Sequence, residues 1–361
     1  MFMKVAILLH WNEGEDSGVF KKIVSQMRIW RILGIQTSLH IISRNSNFSA
    51  WQRYLSDVPL IFHKYHFLTR FKVWREAADV ILTAKPDLVY HRYDLYMPSI
   101  KALVKQVPLI LEINTNDLKE YCLHLGLRCW YNRFTRRFLL SKAAGLVFVT
   151  YELSQLPHFA IFRKPFVVIS NGILLQDYPQ LPPPNNRFPR LVFIGTGNQP
   201  WHGVDKIIKL AQYFPSWTFE LIGPSRSEFK GCPSNVRFWG PLTRSEYEPL
   251  LAQCDIALGT LALHRKAMQE ACPLKVREYL AYGLPVIIGY KDTDFTESAP
   301  FILRLPNSED NIETGLSAIE SFVSKWKGKR VPREAIAHLD LEVKESRRVK
   351  FFEDVLRRFN K

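Results

Sequence analysis

The chain has 361 residues, 47% of them hydrophobic, and a formal charge of +15 at pH 7; that length favours two domains over one and supplies apolar residues for two ordinary cores. No window of about 18 uncharged apolar residues occurs, which argues against a transmembrane helix. Five cysteines (Cys122, Cys129, Cys232, Cys254, Cys272), odd in number and without CxxC spacing, argue against a disulfide framework or a zinc site and fit a reducing cytoplasm.

The charge is uneven. Residues 1–180 hold 23 Lys+Arg against 13 Asp+Glu. A basic balance favours nucleic acid, phosphorylated substrates or an anionic membrane surface, without choosing among them.

The opening MFMKVAILLHWNEGED is not read as a signal peptide. Its apolar run VAILL (5–9) is short and meets His10 and acidic residues with no small-residue cleavage site. VAILL reads as a buried parallel strand. In HWNEGEDSGVFKKIV (10–24), Gly14 and Gly18 frame an acidic loop that opens a helix. Gly18 suits close backbone approach, and Glu13, Glu15 and Asp16 are candidate acceptor contacts.

Further strands are expected at TSLHII (37–42), LVYH (88–91), LILEIN (109–114), GLVFVT (145–150) and FVVIS (166–170). FHKYHFLTRFKVWR (62–75) and RCWYNRFTRRFLLSK (128–142) read as aromatic, basic helices. Such helices either bury their rings in the core or lie on an anionic membrane with charges at the head groups. His63 and His66 are read as surface or core residues rather than metal ligands.

LLQDYPQLPPPNNRFP (174–189) holds five prolines, which exclude helix or central strand. It is read as a linker over 176–189, between an N-terminal domain (1–175) and a C-terminal one (190–345). Strands LVFIG (191–195), TFELIG (218–223), VRFWG (236–240), IALGT (256–260) and PVIIG (285–289) follow. Alternating strand and helix predicts an α/β fold, with parallel sheets flanked by helices. The segment SRRVKFFEDVLRRFNK (346–361) reads as an amphipathic helix that packs on a domain, the N-terminal one included, or contacts a membrane.

The most informative stretch is Glu270-ACPLKVR-Glu278-YLAYGLPVIIG. Pro273 suits a first helical turn, and Gly283 suits a left-handed helix stop. A helix starting near Leu274 offers free N–H groups to an anion, with Lys275 as a mobile charge beside them. Glu278 suits two hydroxyl hydrogen bonds, as from a ribose, and Glu270 a second polyol.

This Glu-x7-Glu spacing followed by G-x-P-V resembles the signature of family 4 retaining glycosyltransferases. VISNGI (168–173), LVFIG followed by WHGVDKIIKLA (201–211), FELIGP (219–224), NVRFWGPL (235–242) and LLAQCDIALGT (250–260) resemble that family's motifs in the same order. The resemblance implies the GT-B arrangement, two Rossmann-like domains facing across a cleft. It implies a nucleotide sugar as donor substrate, held mostly by the C-terminal domain, and no cofactor besides. Glu278 would bind the ribose, backbone N–H groups of Leu274 and Lys275 the diphosphate, and Glu270 the sugar hydroxyls. The acceptor would be a glycan or lipid-linked molecule of cell-surface polysaccharide or glycolipid synthesis, on the cytoplasmic face of a membrane. Retention of configuration also follows from the resemblance alone.

Two places depart from the family pattern. Thr196 and His202 stand where the family carries the Arg and Lys that clamp the diphosphate. Replacement charge would come from Lys275, Lys206, Arg265 or Lys266, with His202 a donor to phosphate if protonated and Asn198 and Trp201 shaping the same loop. Asn114 stands where the family often has a His near the reacting carbon; Glu112 and Asp117 flank it as possible bases. No DxD motif stands at a strand end, so no absolute metal requirement is expected. The competing readings are a catalytically silent binding partner and a same-fold phosphorylase or epimerase. No nucleic-acid-binding motif is present, and nucleic acid is not expected as a partner.

Overall fold

The computed structural model describes residues 3–12, 17–44, 58–122 and 126–359. The chain divides into two units, residues 1–170 with 341–361 and residues 171–340. Glu13, Gly14, Glu15 and Asp16 lie outside the described residues.

The first unit holds a seven-stranded sheet in the order β3-β2-β1-β4-β5-β6-β7. Its strands are β1 (Lys4–His10), β2 (Gln36–Ser43), β3 (Leu60–Lys64), β4 (Leu88–Arg92), β5 (Leu109–Ile113), β6 (Gly145–Phe148) and β7 (Phe166–Val168). All pairings are parallel. Val5 to Leu9 are all buried, as expected of a central parallel strand covered on both faces. Strand β3 falls partly inside the stretch read as a helix from residue 62; the helix proper, α2, is Arg70–Thr83. Helix α1 (Gly18–Ile32) is capped by Ser17, whose hydroxyl accepts from the Phe20 N–H at 3.2 Å.

The C-terminal helix is longer than expected. Here labelled α7, it runs Leu341–Phe359 and belongs to the first unit. Phe351, Phe352 and Val355 join the core of α1 and the sheet, so its apolar face is buried there and not offered to a membrane. Beneath it lies a buried ionic network. Arg348 Nε donates to Glu345 (2.8 Å) and Nη1 to the Tyr90 hydroxyl (2.6 Å). Trp30 Nε1 donates to Glu345 (2.7 Å), and Lys22 Nζ to Glu112 (2.5 Å). Burial alone would raise the Glu112 pKa, but the charges of Lys22, Arg348 and Arg92 outweigh it and hold it at about 2. Asp117 is committed likewise: it is fully buried and accepts from Arg136 Nε (2.7 Å) and Nη2 (2.9 Å), and from Asn132 (2.8 Å). Neither carboxylate is a free base.

Helix α3 (Leu127–Leu140) overturns the reading that its rings pack in the core. Its buried face carries Asn132 and Arg136, while Leu127 (89% exposed), Trp130 (58%), Phe134 (64%) and Phe138 (44%) point outward. The ion pair to Asp117 explains the inversion, because a paired, fully hydrogen-bonded Arg136 can occupy a core position. A second correction lies at its start: Cys122 and Cys129 form a disulfide with Cα atoms 4.8 Å apart. The spacing gave no sign of it, because a pairing depends on where the two Cα atoms lie and not on a motif.

The second unit repeats the plan. Its six-stranded sheet has the order β10-β9-β8-β11-β13-β15, with β8 (Arg190–Ile194), β9 (Thr218–Ile222), β10 (Val236–Gly240), β11 (Ile256–Leu258), β13 (Val286–Ile288) and β15 (Ile302–Arg304). A separate parallel pair joins β12 (Glu270–Ala271) to β14 (Lys291–Asp292). Strands β12, β14 and β15 are only two or three residues long, too short to show a periodicity. The proline-rich stretch is no free linker. Leu181 N–H donates to Tyr282 O (3.1 Å), Gln180 to Val331 O (2.9 Å) and Asn186 to Asp255 (2.8 Å), so it lies along the second unit.

Candidate functional site

In both sheets the strand order reverses beside the central strand, at β1/β4 and at β8/β11. In open parallel sheets, ligands bind outside the carboxyl ends of the strands at such a switch point. The residues just past β8 in the second unit meet this condition, and helix α5 (Leu274–Ala281) brings its N-terminus to them.

Backbone packing there is tight. A Cβ added at Gly195 would lie 2.7 Å from the Phe193 ring and 2.8 Å from Lys275 Nζ. Gly223, with φ +101°, would place a Cβ 2.0 Å from the Gly195 carbonyl oxygen. Only glycine allows these chains to approach so closely.

The start of α5 follows from its sequence. Pro273 is extended (φ −64°, ψ 138°), and its carbonyl accepts from the Val276 N–H (3.1 Å) and the Arg277 N–H (3.4 Å). The N–H groups of Leu274 and Lys275 have no carbonyl within their own helix and form its positive end. Gly283 closes the helix at φ 88°, as its sequence position predicted.

Lys275 is the unusual group. Its ammonium is buried without a hydrogen-bond partner, 4.2 Å from the centre of the Phe193 ring. Burial pushes its pKa down to about 7. A desolvated cation thus stands beside backbone N–H groups that have no partner within their own helix.

The other proposed clamp groups are engaged elsewhere. Lys206 Nζ donates to Ser308 O (2.6 Å) and Asn311 Oδ1 (3.1 Å), fixing the start of helix α6 (Asn311–Trp326). Arg265 makes a two-pronged pair with Asp205 (2.9 and 2.7 Å) and also binds Glu309. Lys266 lies 4.1 Å from the Trp201 ring centre. His202 Nδ1 lies 3.1 Å from the Thr196 carbonyl, an acceptor, so the ring must donate there. Burial, with the charge of Lys275 added, pushes the His202 pKa down to about 3. The ring is therefore neutral with its one N–H spent, and it shapes the loop instead of donating to phosphate. Asn198 adopts φ 55°, and its N–H donates to Glu228 (2.7 Å), which also accepts the Ser225 N–H (2.6 Å).

Farther along α5, Glu278 accepts from the Tyr247 hydroxyl at 2.5 Å. Tyr178 and Tyr282 pack edge to face at 5.2 Å, and Arg244 stacks 4.0 Å from the Tyr178 ring centre. Glu270 is buried in β12, in register with Lys291. Asn171 Oδ1, Tyr290 Oη and Thr293 Oγ1 are buried polar atoms without hydrogen-bond partners among the described residues. Sequence reading missed Arg277, fully buried and paired to Asp292 (2.8 and 2.7 Å) and Asp294 (2.8 Å), which ties α5 to this segment. An Arg inside a short apolar helix was the available signal.

Thr196, Asn198, His202 and Lys275 thus converge on one loop cluster. Gly18 and Asn114 belong to the first unit: Gly18 is the first residue of α1, and Asn114 Nδ2 donates to the Glu112 carbonyl (3.2 Å) at the end of β5.

Residues 188–298 match the family model described as "Glycosyl transferases group 1". No curated protein matches the sequence. Among solved structures, the chain is similar to a lipopolysaccharide outer core galactosyltransferase, WaaB (TM-score 0.66, 11% identity, 98% of this chain and 99% of that one). It is similar to a glycosyltransferase from Rickettsia africae (TM-score 0.67, 14% identity, 98% and 99%). It is also similar to Anabaena HepE in complex with UDP and glucose (TM-score 0.65, 16% identity, 97% and 99%). The chain has the GT-B fold, and residues 188–298 of its second unit match the glycosyl transferases group 1 model.

Proposed function

We propose that the protein transfers a sugar from a nucleotide-sugar donor to a glycan or lipid-linked acceptor at a membrane surface. One observation carries the donor half of this reading: the buried, unpartnered ammonium of Lys275 at the N-terminus of α5. A diphosphate supplies the counter-charge this site lacks, and the orphan N–H groups of Leu274 and Lys275 supply its hydrogen bonds. Glu278, one turn on, suits the ribose hydroxyls. Glu270, buried in β12, suits the sugar hydroxyls. The UDP bound to HepE supports a nucleoside diphosphate as the ligand class.

The membrane half rests on α3. An outward face of Leu127, Trp130, Phe134 and Phe138 beside Arg128, Arg133 and Arg137 suits an anionic lipid surface. No helix among the described residues is long and apolar enough to cross a membrane, so the contact proposed is peripheral.

Thermal melting with UDP, GDP and dTDP tests the donor site. One nucleotide at a hundredfold excess over its Kd stabilises the fold by about 2.7 kcal/mol. Lys275→Met abolishes that shift. A wild-type protein that answers to no nucleotide sinks the reading.

A further inference from the structure

The loop that follows β4 carries hydroxyls that the fold leaves unused. β4 is one of the two strands at the switch point of the first sheet, and this loop, residues 93–99, leaves its carboxyl end. Tyr96 is 6% exposed, and its Oη has no hydrogen-bond partner among the described residues. The same holds for Ser99 Oγ and for Nε of Arg70, the first residue of α2. Buried phenols normally find a partner, and a guanidinium always carries its charge. Tyr131 of α3 ties these groups to one place. Its hydroxyl donates to the Tyr96 carbonyl at 2.7 Å. Burial raises the pKa of its phenol, and the charge of Arg70 opposes that rise. The Tyr96 ring lies 5.7 Å from that of Phe138 on α3. Exposed apolar side chains flank the cluster on both segments: Phe67, Leu68 and Phe71 beside Arg70, and Trp130 and Phe134 beside Tyr131. All of these residues belong to the first unit.

We infer that Arg70, Tyr96 and Ser99 form a seat for the terminal phosphate of one lipid head group. This deepens the membrane half of the reading above and rests on it. Each of the three unused atoms can donate a hydrogen bond, and one of them belongs to a cation, so an oxyanion satisfies them together. A terminal phosphate presents three acceptor oxygens and a charge of about −1.5 to −2, which matches three donors better than the two free oxygens of a phosphodiester. The apolar rim argues for a tail on that phosphate. A soluble phosphate answers the buried donors and leaves the rings of both segments uncovered, whereas a lipid answers both. The seat thus adds a choice of head group to a face that would otherwise read only the charge of the bilayer.

Binding to two kinds of phosphatidylcholine vesicle tests the seat, one kind doped with phosphatidic acid and the other with phosphatidylglycerol at matched surface charge. The wild type is expected to bind the phosphatidic acid vesicles at least about fivefold more tightly. Tyr96→Phe removes a hydroxyl that has no partner, so its melting temperature is expected to stay at the wild-type value. Its preference should fall to within about twofold of none, with phosphatidylglycerol binding kept, because the rings that meet the bilayer are untouched. Arg70→Gln should lose the preference as well. Glycerol 3-phosphate, the head group without a tail, is expected to give no melting shift at millimolar concentration. A shift that Tyr96→Phe abolishes, with no lipid preference, would assign the seat to a soluble phosphate and overturn the lipid. Equal binding of both vesicles by the wild type, or a preference that survives either substitution, overturns the inference and leaves the membrane reading standing. Failure of the wild type to bind any vesicle removes the membrane reading, and this seat with it.

Discussion

The ammonium of Lys275 lies 4.2 Å from the centre of the Phe193 ring, and no carboxylate, hydroxyl or carbonyl hydrogen-bonds to it. The aromatic face gives a desolvated cation part of what water would give. The remainder is unmet, and under the proposed donor reading a diphosphate supplies it.

Lys275→Met is therefore expected to stabilise the ligand-free protein while removing nucleotide binding. The folded pKa, about 7, lies below the ordinary lysine value of 10.5. The unfolded chain thus binds the proton more readily, and stability rises with pH between those values. At pH 6 the charged group costs stability in full, and its replacement gains on the order of 1–3 kcal/mol, discounted because the residue as a whole is only partly buried. Urea titration at pH 6 and pH 10 checks this: the gain should be large at pH 6 and small at pH 10.

The same titration governs the ligand. Binding needs the ammonium, and a diphosphate raises its pKa in the complex. Affinity is expected to weaken as pH rises above about 7, by up to tenfold per pH unit, until the pKa of the complex is reached. Calorimetry from pH 6.5 to 9 should show proton uptake on binding. An affinity flat across that range in the wild type would exclude Lys275 from the phosphate contact.

The network beneath α7 gives a stability prediction. Glu345 accepts from Arg348, Trp30 and Gln26, all buried. Glu345→Ala leaves the Arg348 charge short of its closest carboxylate and is expected to cost about 3–5 kcal/mol in equilibrium unfolding. Replacement of the exposed Glu342 on the same helix should cost under about 0.5 kcal/mol.

The outward rings of α3 give a localisation prediction. Trp130→Ser with Phe134→Ser removes two exposed aromatic rings whose centres lie 6.1 Å apart. Co-sedimentation with vesicles containing anionic lipid should fall at least tenfold, and melting should change little, because neither ring is in the core. Vesicles of neutral lipid should bind the wild type more weakly.

Much of the architecture was legible in the residues. Runs such as VAILL and LVFIG are uniformly apolar because a central parallel strand is covered on both faces. Pro273 and Gly283 mark the two ends of helix α5. These features are local, and local sequence suffices to write them.

Which charges are free was decided by tertiary structure alone. Lys206, Arg265, Lys266 and Lys275 are all candidates in the sequence, with Lys275 the one beside the helix start. In the fold, Lys206 is held by Ser308 and Asn311, Arg265 by Asp205 and Glu309, and Lys266 by Trp201, while Lys275 is left bare. The same is true of Glu112 and Asp117, turned from candidate bases into structural counter-ions, and of His10 and Asp94, separated by 83 residues and joined only by strand order. A pattern of apolar residues fixes strands and helices because burial acts on each segment by itself. An ion pair depends on two side chains meeting, and only the packed sheet determines which ones meet.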